Sequence, residues 1–433
     1  MSGLMSHQIG AYFGVHLDLG APLSFMAALK NMAVVMLLSS PATCGYVTAL
    51  SALTLTPRLR QRTAATESVM MVPAEQQPEL REATWTPSMG FIRFTVDMYM
   101  AMIGDQARTA GFKEAIERRL RDRDGCVVLD IGTGPFAILA IFAAQAGAAK
   151  VYAIEANAAA AKQAQATVDG AVERGDIESG VIVIIEGFST TTTLPERADL
   201  LVAEIVGSIA SEEGMYTTIR DARHRHLKRP ADPKSYIPAR CQTVAAPVAY
   251  SLHHRSDWDT TASLVRLECS SPWLAPLATP QLWEDFAFGG EDQSFGPGLH
   301  ALTPPLDFCV TAATIAANGQ LYAKQLELNG MDTDRAAKMA QTTACSLSGV
   351  ACWPRLVLDE GGEDEGGKPI IVESRGMSGE ARYSHWQTVL LLLSTKPTCM
   401  HAGDVITVQS EIEIGAEVDT PPRYTMRASI ERN

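Results

Sequence analysis

The chain has 433 residues, 46% hydrophobic and 20% charged, a composition that excludes disordered and fibrous classes and predicts about two to four domains. Lys and Arg number 36 against 49 Asp and Glu, a net charge of −13, which disfavours direct nucleic-acid binding, since phosphates must be neutralised by basic side chains, and favours basic partners. Eight cysteines include no C-x-x-C pair, so zinc ribbons, thioredoxin motifs and secreted disulfide frameworks lack support, and the thiols read as reduced and mostly buried.

Residues 1–84 differ in texture from the rest. Between Asp18 and Glu67 there is no acidic residue, and the basic ones are Lys30, Arg58, Arg60 and Arg62. The uncharged stretch 31–55 is long enough to span a bilayer, but Pro41 and its Ser, Thr and Ala content weaken it as a membrane helix. Three readings stay open for this extension: a weak anchor, an organelle transit peptide, or an unfolded segment ahead of Met70 and Met71. Membrane attachment is not expected, and the location is expected to be cytoplasmic, nuclear or both.

Beyond it, Phe91, Phe94, Met98, Met102 and Ile103 mark one face of a helix, and a second short helix runs through Leu120. Four short apolar runs follow, VVLDI (127–131), VYAIE (151–155), VIVII (181–185) and DLLVAEI (199–205), with Ala-rich stretches of helix length between the first three. Strands alternating with helices predict a doubly wound, mostly parallel sheet over residues 85–229. After Pro230 the chain becomes short Val, Thr, Leu and Tyr runs separated by Pro and Gly, which predicts an all-β half over 230–433. Within it GGEDQSFGPG (289–298) and DEGGEDEGGK (359–368) are solvated loops.

In LDIGTGPFAILAIFAAQAG (129–147) an apolar strand ends in Asp130, passes Gly132 and Gly134, and opens a helix. Glycines there leave room for close backbone approach, and the helix start offers free N–H groups to a nucleotide. The spacing also satisfies the dinucleotide fingerprint, so an NAD(P)-dependent oxidoreductase competes. Asp130 argues the other way, because a carboxylate beside a pyrophosphate is a like-charge contact and suits a cationic cofactor such as S-adenosylmethionine. Glu155, 25 residues on at the end of the second strand, is placed to accept from ribose hydroxyls.

The fourth strand runs into AEIVGSIASEEGMY (203–216), with Glu204 and Glu213 nine residues apart. A continuous helix would put them on opposite faces, whereas a loop folded back at Gly207 and Gly214 lets both carboxylates grip the planar fork of a guanidinium. With these glutamates the sequence resembles the protein arginine methyltransferases, whose double-E loop follows the fourth strand. MIGDQARTAGF (102–112) is similar to the family's segment before the first strand, and SHWQTV (384–389) to its T-H-W loop.

The resemblance implies a Rossmann-like S-adenosylmethionine-binding domain followed by a β-barrel carrying a dimerisation arm. It implies that Arg108 binds the cofactor carboxylate, that Phe188 or Ser189 lines the adenine, and that His385 pairs with Asp105 beside Trp386 in the substrate pocket. The expected activity is transfer of a methyl group to arginine in basic, Arg/Gly-rich proteins such as RNA-binding proteins or histones. An inactive scaffold of the same fold is the reading outside catalysis. Glu213 or the His385–Asp105 pair would take the proton. Met102 and Met215 are similar to residues that set pocket width, which favours asymmetric over symmetric dimethylation after an obligatory monomethyl product. The arm is expected at 274–298, where Trp283, Phe286 and Phe288 read as exposed, and a homodimer follows. His224 and His226, in DARHRHLKR (221–229), read as a solvated helix end, and no metal is expected.

Overall fold

The computed structural model describes residues 80–87, 95–121, 123–254, 264–290, 298–361, 367–394, 396–416 and 420–433. The extension's candidate anchor and the expected helical positions Phe91 and Phe94 lie outside these residues. Apart from 173–176, the described residues make up one compact unit. No helix among them is long and apolar enough to cross a membrane.

The chain enters through a strand β1 (Ala83–Trp85) and two helices, α1 (Val96–Gly104) and α2 (Gln106–Leu120). Asp105 joins the helices: it ends α1 and caps α2, its Oδ1 accepting from the Arg108 N–H at 3.1 Å, which satisfies a donor that the helix start leaves free. The alternating half follows as β2 (Val127–Ile131), α3 (Ile138–Gln145), β3 (Lys150–Glu155), α4 (Ala158–Glu173), β4 (Ile182–Glu186), β5 (Leu200–Ala203), α5 (Met215–Arg225) and β6 (Tyr236–Ile237). All pairings in this sheet are parallel, in the order β4-β3-β2-β5-β6. Its central strands are buried on both faces, with Val128, Leu129, Val151, Ala153, Leu200 and Leu201 fully covered, which is why they read as continuous apolar runs. Strand order reverses between β2 and β5, so the chain leaves both strands at one crevice.

The second half contains β7 (Arg240–Tyr250), β8 (Leu264–Glu268), β9 (Leu274–Pro276), β10 (Gln281–Ala287), β11 (Leu299–Leu302), β12 (Leu306–Cys309), helices α6 (Ala312–Leu328) and α7 (Thr333–Ala344), then β13 (Ser346–Asp359), β14 (Ile370–Glu373), β15 (Gln387–Leu392), β16 (Thr398–Cys399), β17 (Val405–Ile414) and β18 (Arg423–Glu431). Among the described residues these form an eight-stranded antiparallel sheet centred on β13 and β7 and a five-stranded one of β1, β18, β17, β11 and β12. Side chains alternate along β7: Ala245 and Ala249 join the core shared by both sheets, while Val244, Ala246 and Val248 face the other way. The Rossmann-like half followed by a β-barrel is the expected fold class.

Three expectations are corrected here. The parallel sheet takes its fifth strand from residues 236–237, past the expected boundary at 229, and β1 straddles residue 84 yet pairs with β18 in the barrel. The second half is not all β. Helices α6 and α7 form an inserted hairpin anchored by the Asn318 amide on the Pro276 carbonyl (2.9 Å) and the Tyr322 hydroxyl on the Ala249 carbonyl (2.7 Å). Caps marked it in the sequence: Thr311 accepts from the Thr314 N–H and Asp332 from the Arg335 N–H.

The described part of the expected arm at 274–298, residues 274–290, is built into the barrel instead. Leu274–Pro276 and Gln281–Ala287 both pair with β7, Trp283 and Phe288 are buried and Phe286 is half-buried. Trp283 donates its indole N–H to Ser410 Oγ at 2.5 Å and packs against Trp85 and Tyr424. Packing against Trp85 and Tyr424 for Trp283, Tyr216 for Phe286 and Tyr236 for Phe288 covers side chains that composition alone made look exposed. Trp283→Ala should therefore cost about 3–5 kcal/mol of stability, read by denaturant unfolding; a loss confined to self-association would contradict this placement.

Candidate active site

The loop after β2, the end of β3, the segment after β5 and the 384–387 turn of the barrel converge on a cavity of about 660 Å³, within the range of small-molecule sites. Its walls include Gly132, Gly134, Glu155, Phe188, Ser189, Glu204, Glu213, Arg108, Met102, His385 and Trp386. The glycines are there for stated reasons. Gly132 has φ +76° and a Cβ on it would lie 2.9 Å from Ile205 Cγ2; Gly134 has φ +64° with Tyr99 3.3 Å from where its Cβ would be. Glu155 accepts from the Gly134 N–H (2.9 Å) and the Asn157 N–H (2.8 Å), which fixes its carboxylate at the glycine loop.

Asp130 is a correction. It is 1% exposed and does not line the cavity. It lies beneath the loop, where its Oδ2 accepts from the Thr133 hydroxyl at 2.6 Å and its Oδ1 has no hydrogen-bond partner. Burial, with the nearby Glu155 charge adding to it and Thr133 opposing it, pushes this carboxyl up to about 7. Its side chain holds the loop's turn and does not face a ligand.

Strand β5 stops at Ala203, so Glu204 is the first residue of the loop. The chain folds back as its glycines suggest: a Cβ on Gly207 would lie 2.7 Å from Glu212 Cβ, and Gly214 takes φ +75° to start α5. Glu204 accepts from Arg108 through Nε (2.8 Å) and Nη2 (2.5 Å), both partners buried. Glu213 makes no such pair. Its carboxyl is pushed up to about 8, first by burial and then by the charges of Glu204 and Glu212, with Arg266 pulling the other way. A carboxyl in that state gains strongly from an arriving cation.

The barrel contributes the 384–387 turn. Asp105 Oδ2 accepts from the Ser384 hydroxyl (2.8 Å), the His385 N–H (3.1 Å) and His385 Nδ1 (3.0 Å). Burial drives the Asp105 carboxyl upward, but the hydrogen bonds and charge of His385, with the Arg108 N–H and Ser384, hold it below the usual range. The bond at Nδ1 leaves His385 Nε2 as the second ring nitrogen. Trp386 is buried, donates to the Val206 carbonyl at 2.8 Å and lies 4.2 Å, centroid to centroid, from the His385 ring.

Other residues on the wall carried little signal. Glu212, next to Glu213, is buried and pairs with Arg266 of β8 at 2.5 Å; the adjacent acids in the sequence hinted at it, whereas nothing marked Arg266. Tyr99, whose hydroxyl is pushed up to about 12 by burial and the Glu155 charge, closes the cavity from α1. Met102 lines the cavity, but Met215 is 1% exposed in the core and does not, which removes half of the pocket-width argument. His224 is exposed, while His226 is buried, contrary to the solvated reading, with its Nε2 3.1 Å from the Ser189 carbonyl. His300, Glu411 and Glu413 approach one another on the barrel surface and do not line the cavity.

Comparison with known proteins fits this geometry. The profile of the family "Ribosomal protein L11 methyltransferase (PrmA)" matches residues 99–215. "Protein arginine N-methyltransferase PRMT10" of Oryza sativa subsp. japonica is 35% identical over 127 residues, 29% of this chain and 32% of that protein. The chain thus spans about a third of that curated relative's length. Two solved structures share the fold: Arabidopsis thaliana protein arginine methyltransferase 10 in a uniquely open conformation (TM-score 0.53, 17% identity, 79% of this chain and 99% of that one) and Trypanosoma brucei PRMT1 in an enzyme-prozyme heterotetrameric complex with AdoHcy (0.52, 18%, 79% and 100%). The chain resembles the protein arginine methyltransferases in sequence over 29% of its length and in fold over 79% of it.

Proposed function

We propose that this protein is an S-adenosylmethionine-dependent protein-arginine N-methyltransferase. The observation that carries the reading is one cavity that joins a glycine loop and Glu155 at one side to Glu204, Glu213 and His385 at the other. Four carboxylates, Glu155, Glu204, Glu212 and Glu213, stand on its wall against two guanidiniums already paired, Arg108 with Glu204 and Arg266 with Glu212. A pyrophosphate would meet net negative charge there, whereas cations are favoured. These residues fit S-adenosylmethionine: Glu155 and the Cβ-free loop would hold the nucleoside beside Phe188 and Ser189, and Arg108 the carboxylate. Arg108 spends Nε and one Nη on Glu204 and keeps further donors.

The bound cofactor supplies an electrophilic methyl on a sulfonium. The chain's own task is then to orient a guanidinium nitrogen and exclude water. Glu213 ionises against the incoming cation, and with Glu204 holds the planar group bidentately and stabilises its positive charge. His385, with Nδ1 fixed by Asp105, offers Nε2 as one route for the departing proton, and Glu213 is the other.

Substrates on this reading are flexible, basic Arg/Gly-rich segments, matched to the charge of −13. Self-association on this reading would use the helical hairpin, a reading supported by the exposed Leu321, Leu328 and Met339. Calorimetric titration tests the cofactor: S-adenosylmethionine should bind and NAD should not. Binding of NAD in its place would return the chain to the oxidoreductase class, and S-adenosylmethionine binding with no turnover on any basic peptide would make it a scaffold.

A further inference from the structure

Of the seven described cysteines, Cys126, Cys241, Cys269 and Cys352 are buried, and Cys309 stands alone on the surface. Cys345 and Cys399 are different. Their sulfurs lie 3.5 Å apart, with Cys399 exposed and Cys345 half-buried. Cys345 ends helix α7, and Cys399 sits in β16 opposite Ser346, the next residue of the chain. The Met400 N–H bonds the Cys345 carbonyl at 2.8 Å, so the antiparallel ladder holds the two backbones side by side. A disulfide needs sulfurs about 2.0 Å apart, and the 3.5 Å separation is within reach of side-chain rotation.

We propose that Cys345 and Cys399 form a redox-active dithiol, oxidised by peroxide to a disulfide that fastens the last turn of α7 to β16. The Cys399 thiolate attacks one oxygen of hydrogen peroxide; an S–O bond forms, the O–O bond breaks, and the leaving hydroxide takes a proton to become water. The sulfur of Cys345, losing its proton, then attacks the sulfenic sulfur of Cys399; the S–S bond forms and the S–O bond breaks, releasing a second water. Two thiols and one peroxide give one disulfide and two waters. A thiol reductant reverses the step by exchange.

The surroundings of Cys399 favour it as the attacking sulfur. Its thiol is lowered, first by the hydrogen bond from Cys345 and then with help from the nearby Arg432 guanidinium, against burial and the charge of Asp404. Cys345 is moved the opposite way by the same bond and by burial, which keeps it the resolving partner. The fully buried Cys241 and Cys352 are pushed well above the ordinary thiol range by burial and stay inert. The dithiol is independent of the cavity: neither cysteine lines it.

The test treats the full chain with graded hydrogen peroxide, traps remaining thiols with N-ethylmaleimide, and assigns every cysteine by peptide fragmentation. The expected result is a Cys345–Cys399 link formed before any other cysteine changes, lost on adding dithiothreitol. Cys345→Ser should stop the reaction at a Cys399 sulfenic acid that dimedone captures, and Cys399→Ser should leave Cys345 unoxidised at the same dose. A link absent while both sulfurs oxidise separately, or a disulfide that pairs either sulfur with another cysteine first, would overturn the proposal. Cys399 is exposed and Cys345 half-buried, and circular dichroism matching the parent establishes that both serine variants fold.

Discussion

Glu213→Gln should lower kcat for methyl transfer by about 10²–10³-fold, the usual effect of removing one preorganised group from a charge-stabilising site, and leave S-adenosylmethionine affinity within a few-fold. The amide keeps the shape and loses the charge. Glu213 has neither the glycine-loop contact of Glu155 nor the Arg108 pairing of Glu204, so cofactor binding has no reason to follow it. Glu204→Gln is the instructive contrast. It also removes the anionic partner of a buried guanidinium, so Arg108 is disturbed along with the substrate site. Steady-state kinetics with parallel titration calorimetry separates the two. Loss of cofactor affinity in Glu213→Gln equal to its loss of turnover would contradict the division of roles.

The second large effect is on pH dependence. In the free protein the Glu213 carboxyl sits at about 8, and it must ionise to hold a guanidinium. kcat/KM, which reports the free enzyme, should therefore rise by at least about tenfold between pH 6 and pH 8 as the carboxyl ionises. kcat should level off at lower pH, because the bound substrate cation favours the ionised form. Stability moves the other way. The folded state keeps a proton that the unfolded chain releases near about 4.3, so this group's stabilising contribution is present below that pH and is lost as pH climbs towards about 8. Glu213→Gln should flatten both trends, in pH–rate profiles and in unfolding measured across pH; a kcat/KM profile already flat above pH 6 would contradict a protonated Glu213 in the free enzyme.

Four strands of the parallel sheet were legible because its central strands are buried on both faces and Ala-rich helices separate the first three, whereas the two-residue β6 is too short to leave a pattern. The glutamate loop was legible for a related reason: a helix was excluded by spacing, and Gly207 and Gly214 marked where the chain turns back. Illegible features were those set by partners distant in sequence. Arg266 reaches Glu212 across 54 residues and Arg108 reaches Glu204 across 96, and no local pattern reports either pairing. Trp283 read as exposed because its burial depends on Trp85 and Tyr424 from the two ends of the described chain. Asp130 shows a subtler limit. Its place at a strand end next to two glycines is the same whether its side chain points into the cavity or under the loop, and the bonds from Thr133 and the Ala140 backbone decide it. The helical hairpin had its caps in plain view, but the regular run of short β segments on either side concealed them.

The most direct test of an arginine methyltransferase site in this cavity is mass spectrometry of an Arg/Gly-rich peptide incubated with the full chain and S-adenosylmethionine carrying a labelled methyl group. Fragmentation locates the label. The account predicts ω-monomethylarginine as the first product, formed at least about 100-fold more slowly with Glu213→Gln. It would be contradicted by a labelled residue other than arginine, or by unmodified peptide from a protein that binds the cofactor.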